Sequence, residues 1–169
     1  MNDNMQQEQI PFKESDATMV LVDDEDMVLS SLQSFLELET DYNLHTFTSP
    51  EAALDYSLTG PVDVVVSDFL MPGMNGIELL GKIREKHPHA PRILLTGYAD
   101  KESAIKAIND IGLFQYIEKP WDNTNLLIVL RNALERRFLV RTLQEKITEI
   151  DRAQGKLSGL QNDILRTFI

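Results

Sequence analysis

A chain of 169 residues, 43% hydrophobic and 25% charged, has the makeup of a soluble globular protein with room for one ordinary domain and an appendage. Its net charge of −11 argues against a duplex-binding surface and against direct contact with nucleic acid, and no basic patch of useful size offsets it. Without cysteine, disulfides, thiolate metal sites and cysteine nucleophiles are excluded, and a reducing cytoplasm suits the chain.

Residues 1–17 are polar, with scattered Met5, Ile10 and Phe12, and read as a disordered leader; they lack the basic start and apolar run of a signal peptide. No stretch approaches membrane-spanning length, so no membrane partner is expected. From Thr18 onward, short apolar runs alternate with amphipathic stretches. Met19 to Val22 reads as a strand ending at Asp23 and Asp24, and Asp26 offers a cap to a helix carrying Val28, Leu29, Leu32, Phe35 and Leu36. Leu44 to Phe47 is a second strand. Ser49 and Pro50 then open a helix that Gly60 and Pro61 stop.

The third strand, Val62, Val64, Val65 and Val66, is β-branched and suited to burial on both faces. It ends at Asp68, and Met71-Pro72-Gly73-Met74-Asn75-Gly76 cannot continue it, while its glycines permit a tight, close-approach backbone. A helix with Ile77, Leu79, Leu80 and Ile83 breaks before Pro88. Arg92 to Thr96 makes a fourth strand, followed by a helix about Ala104 to Ile108. Leu113 to Ile117 makes a fifth strand, ending at Glu118-Lys119-Pro120, and the last helix starts near Asn123. Five strand-then-helix units predict an α/β fold: a doubly wound, five-stranded parallel sheet of flavodoxin-like order 2-1-3-4-5.

The last helix outruns the fold. Steps of three and four from Leu126 give Val129, Ala133, Arg136, Val140, Leu143, Ile147 and Ile150, then Gln154, Leu157, Gln161, Ile164 and Phe168. This heptad seam predicts a coiled coil, with polar interruptions that set register and glycines at Gly155 and Gly159 that weaken it. We therefore expect a domain over 18–138 and a dimerising or linking helix over 139–169, with residues 126–168 pairing two copies. The alternative is a linker helix ordered on its own. The seven basic and five acidic residues from Glu135 to Ile169 are spread around rather than gathered on a groove-reading face. The seam is still running at Phe168, which fits either a stand-alone domain with a dimerising tail or a piece of a longer regulator whose output domain is absent from this chain.

Every strand after which chemistry is expected ends on a polar residue: Asp23 and Asp24, Asp68, Thr96, Lys119. A parallel sheet brings these ends to one edge, and strands one and three flank the switch point, so three carboxylates converge. Like charges this close call for a cation, and all-oxygen donors select Mg²⁺ or Mn²⁺ over zinc. An EF-hand is excluded, because a loop from Asp24 would place Leu29 where glycine is needed and Phe35 where the bidentate acid is needed. Acid, hard cation, hydroxyl and ammonium are the parts of a phosphoryl-transfer site, with Asp68 as nucleophile. Taken singly, each residue has a plainer reading: a helix-start acid, a loop-capping Asp, a solvated Lys. His87 and His89 read as solvated loop residues, and Trp121 as packing at the start of the last helix.

Taken together, Asp23-Asp24, Asp68 before MPGMNG, LLTGYAD around Thr96 and EKPW around Lys119 resemble the receiver domain of two-component response regulators, over about Thr18 to Phe138. The resemblance implies that Asp68 accepts a phosphoryl group from a sensor histidine kinase or phosphotransfer protein. It implies Mg²⁺ on Asp24, Asp68 and the backbone carbonyl of Leu70, with Asp23 reaching the ion through water. Lys119 and Thr96 would contact the phosphoryl group, and Tyr116 would be the switch aromatic coupled to Thr96. Such a domain is a switch rather than an enzyme. An aspartyl-phosphate phosphatase would need a second acid two residues after the nucleophile, where this chain has Leu70. A pseudo-receiver serving only as a coiled-coil adaptor would form no phosphoryl adduct.

Overall fold

The computed structural model describes residues 12–168. Five parallel strands, β1 (Thr18–Val22), β2 (Asn43–Phe47), β3 (Val64–Asp68), β4 (Arg92–Thr96) and β5 (Gln115–Glu118), lie in the order β2-β1-β3-β4-β5. The helices are α1 (Asp26–Glu39), α2 (Pro50–Thr59), α3 (Gly76–Lys86), α4 (Lys101–Ile111) and α5 (Asn123–Phe168). The order follows from the sequence of crossovers: a parallel strand can be reached only through a helix that packs back on the sheet. Every residue of the central strands β1, β3 and β4 is buried, whereas the edge strands β2 and β5 are partly exposed. The run of valines in β3 thus answers to helices on both of its faces.

Val20, Val22, Val65 and Leu94 pack with Ala53, Leu79, Leu80, Ile83 and Ala104 from α2, α3 and α4. Strand alternation sends Met19, Leu21, Val66 and Ile93 to the opposite face, where α1 supplies Leu29, Leu32 and Leu36 and the start of α5 supplies Leu126, Leu130 and Leu134. Each such side chain, removed from water, contributes about 1.5–3 kcal/mol.

Local signals differ from the sequence expectation in three places. Ser49 caps α2 as expected, accepting the Ala52 N–H at 3.3 Å with Pro50 behind it. Asp26 does not cap α1. It is the first helical residue, and the Glu25 N–H before it is taken by Asp23 Oδ1 at 2.9 Å. The leader expected over 1–17 ends early: Glu14–Asp16 form a 3-10 turn, Ala17 is fully buried, Glu14 accepts the Asp41 N–H and pairs with Arg131, and Asn43 Nδ2 donates to the Ser15 carbonyl. These bonds satisfy a backbone that disorder would have left to water. The remainder of the leader, residues 1–11, lies outside the described residues. His87 is half-buried rather than solvated, its Nε2 2.6 Å from the Ser57 carbonyl oxygen between the ends of α2 and α3.

Two buried charges organise the amino end of the sheet, opposite the acids. Asp63 accepts the Thr18 N–H at 2.8 Å and pairs with Arg137 at 3.8 Å. Arg92, at the start of β4, donates to the carbonyls of Ala90 (3.1 Å), Pro88 (3.4 Å) and Gly112 (2.8 Å), the last being the left-handed C-cap of α4. Burial, and secondarily the charge of Arg84, lowers the guanidinium's pKa, but three carbonyl partners compensate for its removal from water.

The chain divides into two compact units, Met1–Arg137 and Phe138–Ile169. Within the second, the apolar residues of the helix are exposed: Leu143, Ile147, Ile150, Leu157 and Ile164 all lie open. A Cβ built on Gly155 or Gly159 meets nothing within 4 Å. Alanine at both is expected to stabilise this helix by about 1 kcal/mol per site, read as a higher melting midpoint in far-ultraviolet circular dichroism.

Candidate functional site

At the carboxyl edge of the sheet the strand ends are stitched together by their backbones. The Asp23 N–H donates to the Phe47 carbonyl, Phe69 to Leu95 and Lys119 to Thr96, at 3.2, 2.9 and 2.9 Å. Register therefore delivers the polar residues as a group: Asp23 and Asp24 after β1, Asp68 ending β3, Thr96 ending β4, Lys119 just past β5. Asp23, Asp24 and Asp68 each present a carboxylate oxygen within 4.8 Å of the others.

Asp23 is 1% exposed and Asp68 is 7% exposed, so two of these carboxylates are nearly cut off from solvent, while Asp24 is exposed. Lys119 answers their charge: its Nζ lies 2.7 Å from Asp23 Oδ2 and 3.1 Å from Asp68 Oδ1. Burial alone would lower the lysine's pKa, but the hydrogen bonds and charges of Asp23 and Asp68 override it and hold it above the ordinary value. Asp68 ends up raised. Burial is the main cause and the neighbouring Asp23 adds to it, against a partial relief from Lys119. One ammonium does not fully compensate three acids, and the donors are carboxylate oxygens throughout, so the cluster suits a hard divalent cation.

The other residues expected here fall less simply. Thr96 is at the edge but fully buried, and its hydroxyl donates to the Gly97 carbonyl at 3.2 Å. Tyr116 is half-buried against the hydrophobic core, opposite Leu94 in the β4–β5 ladder, and makes no hydrogen bond to Thr96 among the described residues. Leu70 follows in the loop with its side chain 60% exposed. The Lys119–Pro120 peptide is cis. Beside the acids, Met27, Val28, Ser31, Lys119, Pro120 and the half-buried Trp121 line a cavity of about 530 Å³.

Two residues just past Asp68 hold the site: Asn75, which has no reading of its own in the sequence, and Gly76, one of the glycines expected to allow close backbone approach. Asn75 caps α3, its Oδ1 accepting the Glu78 N–H at 2.9 Å. Gly76, the first helical residue, donates its N–H to the Phe69 carbonyl at 2.7 Å and so closes the loop that follows Asp68. The Asn-x-x-Glu spacing of a capping box was the available signal for Asn75.

Comparison with known proteins bears directly on this arrangement. The family model of the response regulator receiver domain matches residues 19–131. The hydrogenase transcriptional regulatory protein HoxA of Cupriavidus necator is 36% identical over 128 residues, 76% of this chain and 26% of that protein. The C4-dicarboxylate transport transcriptional regulatory protein DctD of Pseudomonas aeruginosa is 36% identical over 156 residues, 88% of this chain and 33% of that protein. The chain thus spans about a quarter to a third of the length of these curated relatives. Among solved structures, a response regulator receiver domain protein from Clostridium thermocellum aligns with a TM-score of 0.69 at 32% identity, over 73% of this chain and 98% of that one. The signal receiver domain of an HD domain-containing protein from Pseudomonas fluorescens gives 0.68 at 38% identity, over 72% and 97%. With its 2-1-3-4-5 parallel sheet and acids on the carboxyl edge, the chain belongs to the receiver domain family of two-component response regulators.

Proposed function

We propose that this domain is a phosphorylation-operated switch in which Asp68 takes a phosphoryl group from a sensor histidine kinase or phosphotransfer protein in the cytoplasm. A carboxylate oxygen of Asp68 forms the new P–O bond as the P–N bond of the donor phosphohistidine breaks, and the imidazole leaves with the electron pair. The observation that carries this reading is the Lys119 ammonium lodged between Asp23 and Asp68, which supplies positive charge where the phosphoryl oxygens would arrive. Asp24, Asp68 and the Leu70 carbonyl, with Asp23 beside them, would hold Mg²⁺ or Mn²⁺, whose chemistry is neutralisation of charge on the phosphoryl oxygens.

The conformational readout follows from the Thr96 hydroxyl. It donates to the Gly97 carbonyl at 3.2 Å, a partner it would exchange for a phosphoryl oxygen. A group carrying nearly two negative charges offers the stronger, charge-assisted bond. Tyr116 on the neighbouring strand then changes its packing, and the α4–β5–α5 surface changes its partner preference. The curated relatives are transcriptional regulatory proteins, and by that likeness the switch reports to an output domain. The homodimer contact is shorter than the 126–168 expected from the seam: Leu126, Val129 and Ala133 are buried within the domain, and the contact falls to Leu143, Ile147, Ile150, Leu157 and Ile164, exposed aliphatic residues at heptad spacing with nothing in their own unit to bury them.

Mass spectrometry after incubation with a small phosphodonor and Mg²⁺ tests the proposal: one stable phosphoryl adduct per chain, on Asp68, is expected. Many turnovers of an aryl phosphate would instead reveal a phosphatase, and no adduct would reveal a pseudo-receiver.

A further inference from the structure

The proposed dimer leaves the direction of pairing open, and the polar interruptions of the seam decide it. Steps of three and four fix the heptad uniquely. Val140, Ile147, Gln154 and Gln161 take position a, and Leu143, Ile150, Leu157 and Ile164 take position d. We infer that the second unit pairs with a second copy of itself as a parallel, in-register two-stranded coiled coil, an inference that rests on the dimer reading above.

Hydrogen bonding favours the parallel pair. In a parallel, in-register pair each a residue meets its own counterpart, so the amides of Gln154 and Gln161 face identical amides and can bond across the axis. In an antiparallel pair a residues layer against d residues. Each glutamine would then face leucine or isoleucine, and its amide would be buried without a partner, which is costly. A parallel pair slipped by one heptad keeps a single Gln154–Gln161 match at that level and strands the remaining amides against aliphatic side chains.

The flanking positions give an independent argument. In the parallel register, position g of one helix meets position e of the next heptad on its partner. Lys146 at g then faces Asp151 at e, an opposite-charge pair made twice in the dimer. Leu160 at g faces Leu165 at e. These two leucines, 59% and 57% exposed in the single chain, lie off the a/d seam and have no other explanation in the heptad. Lys146 also pairs with its own Glu149 at 3.6 Å, but both groups are well exposed and such a pair is weak, so it does not compete seriously. The glycines obey the same geometry: Gly155 falls at b and Gly159 at f, outside the interface, where a Cβ meets open space.

The natural chain has no cysteine, so a single engineered thiol reports direction cleanly. Val140→Cys and Gln161→Cys, each in the full chain and equilibrated in a glutathione redox buffer, are expected to form the disulfide dimer with themselves, whereas Arg152→Cys at an outer f position stays reduced. Sedimentation equilibrium on the unmodified chain separates the two levels of the argument. A monomer would overturn the dimer reading and this inference with it. A dimer in which neither Val140→Cys nor Gln161→Cys self-links, but Val140→Cys mixed with Ile164→Cys does, would overturn the parallel direction and leave the dimer standing. A trimeric mass would overturn the two-stranded form.

Discussion

Replacing Asp68 by asparagine is expected to reduce phosphoryl incorporation to background while raising the melting temperature of the domain at neutral pH. The first effect follows from chemistry: an amide oxygen is a poor nucleophile and yields no stable acyl phosphate, and Asp23, the other acid on Lys119, is the more deeply buried of the two. The second follows from linkage. Asp68's pKa is raised above its ordinary value of 3.8 because the carboxylate is buried and sits beside Asp23. A carboxyl raised in the folded state favours folding most at pH below its unfolded value, and loses that contribution as pH climbs through the folded one. At neutral pH the ionised Asp68 is therefore a net cost that asparagine removes. The stability gap between the variant and the natural chain should close as pH falls toward the ordinary carboxylate range. Thermal melts in chelator across that range check it, and a variant less stable than the natural chain at neutral pH would show that Lys119 compensates Asp68 fully.

Gly76→Ala is expected to damage the fold and the site together. Its φ is not the reason, since among the described residues only Gly73 and Gly112 have positive φ. The reason is contact: a Cβ at Gly76 would penetrate the Asp68 carbonyl oxygen, lie 2.9 Å from the carbonyl carbon and 3.0 Å from Leu94 Cδ1. Asp68 ends a strand hydrogen-bonded on both sides to β1 and β4 and cannot retreat, so α3 must move and the 2.7 Å bond from Gly76 to Phe69 is strained or lost. Overpacking of this kind costs about 1–3 kcal/mol or more, on the order of 10 °C at the upper end for a chain of this size. Phosphoryl incorporation should slow as well, because the displaced backbone belongs to Asp68. Gly97→Ala provides the contrast: its Cβ would meet only Asp100 Oδ2, at 3.8 Å, and the domain should melt as before.

These two positions mark the limits of what could be read from the chain. Asp68 was legible because an apolar run of period-breaking valines ends on it, and because Asp23, Asp24, Thr96 and Lys119 end runs of their own. Parallel pairing converts that one-dimensional regularity into a shared edge. Gly76 is legible in part: the sequence marks the glycines of this loop as allowing close backbone approach, but which backbone approaches is set by a carbonyl eight residues earlier across a closed loop. Asp63, Arg92 and His87 escaped for a related cause. Each serves backbone groups brought near by the tertiary fold, and no local spacing announces a backbone N–H or carbonyl in need of a partner. The cap of α1 differs from the expected Asp26 because the helix begins at that residue, and the acid that meets a backbone N–H at its entry is Asp23, which accepts from Glu25.

The Arg92 contact has a mechanical consequence. The guanidinium grips the Gly112 carbonyl, so α4 is pinned to the interior at its carboxyl end. At its amino end the tie from Lys101 to Glu118 spans 3.2 Å between two exposed side chains. Because the Gly112 anchor is a backbone carbonyl, no side-chain replacement within α4 removes it, whereas replacing Arg92 does.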